Sequence, residues 1–286
     1  MDITIRPARA SDKDSVLAFT CTTWTWGDYI ADAWDGWLGD SHGELSVAEA
    51  AGLPVAIAMC TLASADEGWL QGLRVHPDYR RQGIARALTA YQLDWLRQRG
   101  AAIVRLAVHC TNLASQSHVA RTGFRQVTTS NMRVRPAASS DETGAQAAIL
   151  VAADVSAAWD WITASPTWRA AAGLWADGWV WRRLTRDILA QRVDWGQVLG
   201  VRQGENWGAL AIARLDPEGQ LIGYADGASA ALVELARALS GRAWRGKAQN
   251  NEALLPPSPQ LAPAFENAGY VPEDDDTAMF IYELNL

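Results

Sequence analysis

The sequence predicts an α/β (α+β) fold, a mixed, partly antiparallel sheet flanked by helices and set out twice along the chain. Three observations predict it. Strand-type apolar runs alternate with helix-period segments through both halves of the 286 residues. A strand (Trp69–Val75), a basic glycine turn (Arg80–Ala85) and a long helix (Ile84 to about Arg99) follow one another closely. The order of the first half then returns in the second, where Ala268-Gly-Tyr270 stands as Thr122-Gly-Phe124 stood.

Taken in order, Ile3–Pro7 reads as a first strand, and Asp12 is placed to cap a helix running from Ser15 to Phe19. Residues 21–38 continue as helix or loop and helix. Glu44–Ala50 and Pro54–Leu62 form a hairpin through Ala51-Gly52. After the strand Trp69–Val75, the spacing of Ile84, Leu88, Tyr91, Leu93 and Trp95 marks a helix that packs on the sheet, and Gly100 ends it. Ile103–His109 is a buried-type strand, Ala114–Arg121 a short helix, and Phe124–Val134 a final strand pair. Pro136 to Glu142 is the best linker. Beyond it, Ala145–Trp159 reads as helix, Thr167–Arg192 as one or two helices, and Val198–Arg202 with Gly208–Arg214 as a hairpin. Leu221–Ala225 is a strand, Ala230–Leu239 a helix, Ala243–Ala248 a strand, Leu261–Ala268 a helix and Ala278–Leu284 a last strand. The expected domains are residues 1–136 and 145–286.

Composition excludes several classes. Net charge is −7, and the deficit lies in the second half: residues 1–148 hold 14 Lys/Arg and 15 Asp/Glu, residues 149–286 hold 11 and 17. That balance argues against nucleic acid as a partner. No apolar run reaches the roughly 18 residues of a membrane span, and no secretory h-region opens the chain. Cys21, Cys60 and Cys110 have neither disulfide nor metal-ligand spacing, so a reducing cytoplasm is the expected compartment, with no metal. Cys21 and Cys60 are expected in the core, and Cys110 on a strand near the site.

The turn carries the chemistry. Backbone N–H groups at a helix start lack intrahelical partners and favour an anion. Gly83 lets the backbone approach a ligand, Ala85 keeps the next position small, and Arg80 and Arg81 add charge-assisted contacts. The spacing matches neither the dinucleotide glycine pattern nor the Gly-Lys-Ser/Thr of nucleotide triphosphatases.

Residues 3–135 resemble the GNAT superfamily of N-acetyltransferases. The resemblance rests on Ile3-Thr-Ile-Arg-Pro-Ala8 with Asp12, on Leu73-Arg-Val-His-Pro-Asp-Tyr-Arg-Arg-Gln-Gly-Ile-Ala85, and on Asn112, Ser115 and Gly123-Phe124, in that order. It implies a mostly antiparallel sheet whose fourth strand splays from the fifth, and acetyl-coenzyme A as co-substrate. By the same resemblance the cofactor residues are Leu73, Arg74, Val75, Arg80, Arg81, Gln82, Gly83, Ile84, Ala85, Asn112 and Ser115, and the N–H near Leu73 is the oxyanion donor. The second half resembles the degenerate copy of tandem members. It lacks the Arg/Gln-x-x-Gly-x-Ala turn, and Asp226 would set a negative charge where a diphosphate must sit. This half is expected not to bind coenzyme A.

Acetyl transfer needs a positioned neutral amine and a route for its proton. The tyrosine that many relatives carry seven residues after the Asn corresponds to Val119, which cannot donate; His118 beside it points elsewhere on a helix. Alternation places Trp69, Gln71, Leu73 and Val75 on one strand face. The nearest carboxylate of that parity is Glu67, and His109 ends the fifth strand; these are the candidate bases, since histidine ordinarily titrates near 6.5. Trp26, Asp28, Tyr29 and Asp32, with Gln71, mix acids, aromatics and an amide suited to a cationic acceptor. The expected activity is acetyl transfer to a primary amine of a small molecule or peptide, by a monomer or homodimer. A catalytically silent coenzyme A-binding module and a transferase of another acyl group are the alternatives.

Overall fold

The computed structural model describes residues 2–24, 27–135, 147–215, 219–246, 248, 250–273 and 278–286. The expected linker and Trp26 lie outside them. The chain divides into two compact units: Met1–Ala107 with Leu113–Arg125 and Tyr282–Leu286, and Val108–Asn112 with Gln126–Ile281. Each unit takes in segments from both sides of the linker, unlike a division into 1–136 and 145–286. Backbone pairing decides which sheet a strand joins, and linker composition carries no information about that.

In the first unit, β1 (Ile3–Pro7), β2 (Gly43–Ala50), β3 (Leu53–Leu62) and β4 (Glu67–Val75) pair antiparallel in sequence order, and β5 (Ile103–His109) runs parallel to β4. The β2–β3 turn is tight because Ala51 and Gly52 both take left-handed φ (50° and 83°). One sheet face, with Leu45, Val47, Ile57 and Met59, packs on α1 (Lys13–Thr20) and α2 (Ile30–Leu38) through Val16, Phe19, Ile30 and Trp34. The other face is built of small residues, Ala48, Ala50, Ala56 and Ala58, and receives Ile84 and Leu88 of α3 (Ile84–Gln98). Asp12 does not cap α1; its carboxylate accepts from the Arg9 N–H and from Arg6, whose guanidinium holds the Asp12 pKa below the usual range. Cys60 is buried as expected, but Cys21 is exposed. The unit also takes in α4 (Leu113–Arg121) and the end of the chain, where Leu286 N–H bonds Ala102 O (2.9 Å).

In the second unit the strands lie in the order β6 (Arg125–Val134), β13 (Asn250–Leu255), β12 (Gly219–Gly227), β11 (Asn206–Leu215), β10 (Val198–Gln203) and β7 (Ala148–Ile149). β14 (Val271–Pro272) also pairs with β6, and β15 (Ala278–Asn285) ends the chain. β12 and β13 are parallel; the other pairs along this order are antiparallel. α8 (Ser229–Arg245) and α9 (Leu261–Asn267) cover one face, α5 (Val155–Ala164) and α7 (Arg186–Asp194) the other.

Several sequence expectations need correction here. In place of the strand pair expected at Phe124–Val134 there is one strand, β6, from Arg125 to Val134. Residues 147–154 precede the helix, which starts only at Val155. The Trp/Arg-rich stretch expected as helix contains a short α6 (Pro166–Ala170), a hairpin of β8 (Leu174–Asp177) and β9 (Val180–Arg183), and then α7. Gly173 and Gly178, both at φ +70°, break the helix period that the flanking residues suggest. The strand expected at 243–248 is instead the end of α8 and the turn before β13: α8 runs past Gly241 because packing on the sheet outweighs the roughly 1 kcal/mol helix cost of one glycine.

Candidate active site

β4 and β5 pair only from Glu67↔Ile103 to Trp69↔Arg105; beyond Trp69 no register joins them among the described residues. Beyond that point β4 carries a bulge. Gln71 faces Met59 and Arg74 faces Ile57, so Gly72 and Leu73 together oppose Ala58. Gly72 is left-handed (φ +69°), the signature of a glycine bulge, and one residue of the strand is left out of the ladder. A Cβ at Gly72 would meet the Trp37 ring at 2.5 Å, so close packing reinforces the choice of glycine. The bulge also corrects the expected alternation. Trp69 and Gln71 keep the α1/α2 side, but Leu73 and Val75 pack with Ile84 and Leu88 on the α3 side. One extra residue reverses the parity of everything after it.

After β4, the 76–83 segment leads into α3. The His76 imidazole accepts from the Asp78 N–H, and a short turn at Pro77–Tyr79 follows. Arg80 folds back to bond Val75 O (3.1 Å) and Gln82 bonds Asp78 O (3.2 Å), so both side chains brace the loop. Arg81 and Gly83 are left-handed (φ +62° and +83°). Gly83 is the N-cap of α3 and carries no side chain to cap it; nothing lies within 4 Å of where its Cβ would be. Among the described residues no acceptor bonds the Ile84 or Ala85 N–H, and unpartnered N–H groups at a helix start are the groups an anion uses. Ile84 is buried in the core and anchors the helix start.

The acid–aromatic cluster is arranged differently from the expectation. Asp28, 1% exposed, pairs with Arg74 through both carboxylate oxygens (2.7 and 3.2 Å), and Arg74 also bonds Leu73 O. The Arg74 guanidinium lies 5.9 Å from the Trp24 ring and 5.4 Å from Tyr29. The cation in this cage is thus the chain's own Arg74, which ties the loop before α2 to the bulged part of β4. Tyr29 stacks edge-on with Trp37. Asp32 is exposed on the first turn of α2, and Gln71 is half-buried.

Glu67 is buried and bonded by Arg105 Nη1 (2.6 Å), and Arg105, 3% exposed, also holds Glu283 (2.8 Å). It sits where β4 and β5 are still paired, at the closed end of their divergence. Glu67 is thus the partner of a buried ion pair, away from the bulge in β4. Charge parity along a strand could not reveal this, because Arg105 is 38 residues away in sequence.

On α4, Val119 is buried and Ser115 half-buried. His118 turns to α3, its Nε2 3.0 Å from Thr89 Oγ1. Burial holds the His118 pKa below the ordinary value. The unfolded chain therefore takes up this proton first as pH falls. The stability contributed by neutral His118 is complete above about pH 6.5 and declines on further acidification. Urea unfolding at pH 7.5 and 5.5 should show a lower midpoint at pH 5.5, and His118→Gln should flatten that part of the difference.

His109, Cys110 and Asn112 belong to the segment that groups with the second unit. His109 Nδ1 lies 2.8 Å from Thr111 Oγ1, and Cys110 N–H bonds Ala278 O (2.9 Å). No group of three or more His, Cys, Asp or Glu fit to hold a metal is found among the described residues. No described helix is long and apolar enough to cross a membrane. The bulge itself was missed from sequence, although Gly72 inside an otherwise apolar strand is the signal that marks one.

A diverging strand pair, a glycine bulge and an uncapped helix start define the class of protein, and comparison with known proteins gives the family. Residues 15–124 match the Acetyltransferase (GNAT) family and form a GNAT domain. A ribosomal protein bS18-alanine N-acetyltransferase of Escherichia coli K12 is 40% identical over 63 residues, 22% of this chain and 43% of that enzyme; the match thus spans less than half of that relative. Among solved structures, a GCN5-related N-acetyltransferase from Sphaerobacter thermophilus shares the fold over 99% of this chain and 95% of its own (TM-score 0.65, 15% identity). A tandem GNAT protein from the clavulanic acid biosynthesis pathway does so over 99% and 98% (TM-score 0.57, 12% identity). The chain has the two-domain GNAT fold.

Proposed function

We propose that the chain transfers an acetyl group from acetyl-coenzyme A to a primary amine of a small molecule or peptide. The observation that carries this is the divergence of β4 from β5 directly before the bulge, with the open, glycine-capped start of α3 following β4. In this reading the N–H groups of Gln82 to Ala85, with Arg81, take the diphosphate, and the pantetheine arm lies along the unpaired stretch of β4 through Val75. The bulged backbone at Leu73 supplies the N–H donor to the developing oxyanion, a group fixed before the reaction begins. Asn112 and Ser115 are assigned to the cofactor, as the resemblance implies. His109 takes the proton from the acceptor ammonium, and solvent returns one to the thiolate, because Val119 offers no donor. The acceptor approaches past Gln71, Tyr29 and Asp32. Asp28 acts through Arg74 as a positioning residue, since its oxygens are already bonded.

Titration of the full chain with acetyl-coenzyme A should give saturable binding, and a panel of primary amines should support release of free coenzyme A. His109→Gln should lower kcat by about 10²- to 10⁴-fold, the usual worth of a general base, and should remove the acidic-limb inflection from the pH–rate profile while leaving cofactor affinity intact. Saturable binding without turnover on any amine would favour the silent-module alternative; an unchanged profile in His109→Gln would exclude His109 as the base.

A further inference from the structure

The second unit repeats the divergence seen in the first but closes its anion site. β12 and β13 pair in parallel from Gly219↔Asn250 to Ile222↔Ala253, and among the described residues no pairing joins them further along. In the first unit eight residues separate β4 from α3; here β12 ends at Gly227 and α8 starts at Ser229. No loop remains to wrap a diphosphate. Ala228 N–H is bonded to Gly208 O (2.9 Å), and a Cβ at Gly227 would lie 2.5 Å from that same oxygen. The backbone that is open at Gly83 is packed at Gly227.

A cavity of about 520 Å³ nevertheless lies at this position, within the size range of small-molecule sites. Its walls are mostly apolar: Trp161, Pro166, Pro257 and Pro259 contribute, and Asp226 is its charged member beside neutral polar residues such as Ser165 and Gln260. Asp226 is 5% exposed, and its side chain shares a face with Tyr224, whose hydroxyl donates to Asp226 Oδ2 (3.3 Å) and also meets Ser165. That is the one hydrogen bond to this carboxylate among the described residues, and no cation pairs with it. Several arginines of the unit are committed elsewhere: Arg182 and Arg192 to Asp177, Arg202 to Asp154, Arg133 to Glu266, Arg242 to backbone carbonyls. A carboxylate removed from water and left without a counter-charge is costly, and a cationic ligand removes that cost.

We infer that this cavity is a binding site for an organic ammonium with an apolar body, Asp226 receiving the charge and Trp161 with the prolines receiving the body. This site is separate from the acyl-transfer reading of the first unit and stands whether or not that reading holds.

Benzylammonium and its neutral counterpart benzyl alcohol distinguish the outcomes when titrated into the full chain at pH 7. Benzylammonium should bind saturably and at least tenfold tighter than benzyl alcohol. Asp226→Asn should erase that preference, and Trp161→Leu should weaken benzylammonium several-fold, with acetyl-coenzyme A binding the same in both variants as in the parent. Equal affinity for the two probes, no saturable benzylammonium binding, or affinity unchanged in both variants would overturn the inference. The comparison of probes on the parent chain needs no variant to fold. A loss of acetyl-coenzyme A binding in the parent would reject the first unit's reading and leave this one standing.

Discussion

Arg105→Ala is expected to destabilise the first unit by about 3–5 kcal/mol, the usual cost of removing one partner from a buried ion pair. Arg105 and Glu67 are both nearly inaccessible, and the variant would leave the Glu67 carboxylate in the interior without the guanidinium that now bonds it at 2.6 Å. Glu283, more exposed at the far side of Arg105, has water to compensate it and adds less. Urea unfolding read by tryptophan fluorescence measures the effect. The double variant Glu67→Leu/Arg105→Leu should regain most of the loss, because it removes both charges rather than one. It also separates structure from chemistry: if Glu67 took the acceptor proton, the double variant would lose about 10²- to 10⁴-fold in kcat, whereas a purely structural pair leaves turnover near that of the parent.

Gly83→Val should abolish measurable acetyl-coenzyme A binding. The left-handed φ of +83° strains any β-branched residue, and the added side chain would occupy the open space in front of the α3 amides. Strain and occupancy are separated by Gly83→Asn, since asparagine tolerates this backbone conformation. Asn should leave the melting temperature near that of the parent yet reduce affinity at least tenfold, a loss of about 1.4 kcal/mol. Unchanged affinity in Gly83→Asn would place the diphosphate elsewhere. Calorimetric titration and a thermal melt on the same preparations give both readings.

Much of the molecule was legible in the chain. Glycine and apolar periodicity are local signals, so the first-unit strands, α3 and the loop from Arg80 to Ala85 could be located by counting. The Gly-Phe and Gly-Tyr turns likewise exposed the repeat. The Trp/Arg-rich stretch at 167–192 misled because tryptophan suits helix and strand alike, and two left-handed glycines decided between them.

The sequence alone determined the fold class, its repetition and the place of the glycine turn before α3, because each is read from local motifs and apolar periodicity. Tertiary structure decided what the charged side chains do. Asp28 meets Arg74 across 46 positions and Glu67 meets Arg105 across 38, so two acids that read as available are already bonded. Asp226 read only as a flaw in a degenerate repeat; within the fold it is an uncompensated carboxylate lining a cavity. The physical reason is the same in all three: a charge's function depends on which opposite charge, if any, the folded chain brings within about 4 Å, and sequence separation carries no record of that distance.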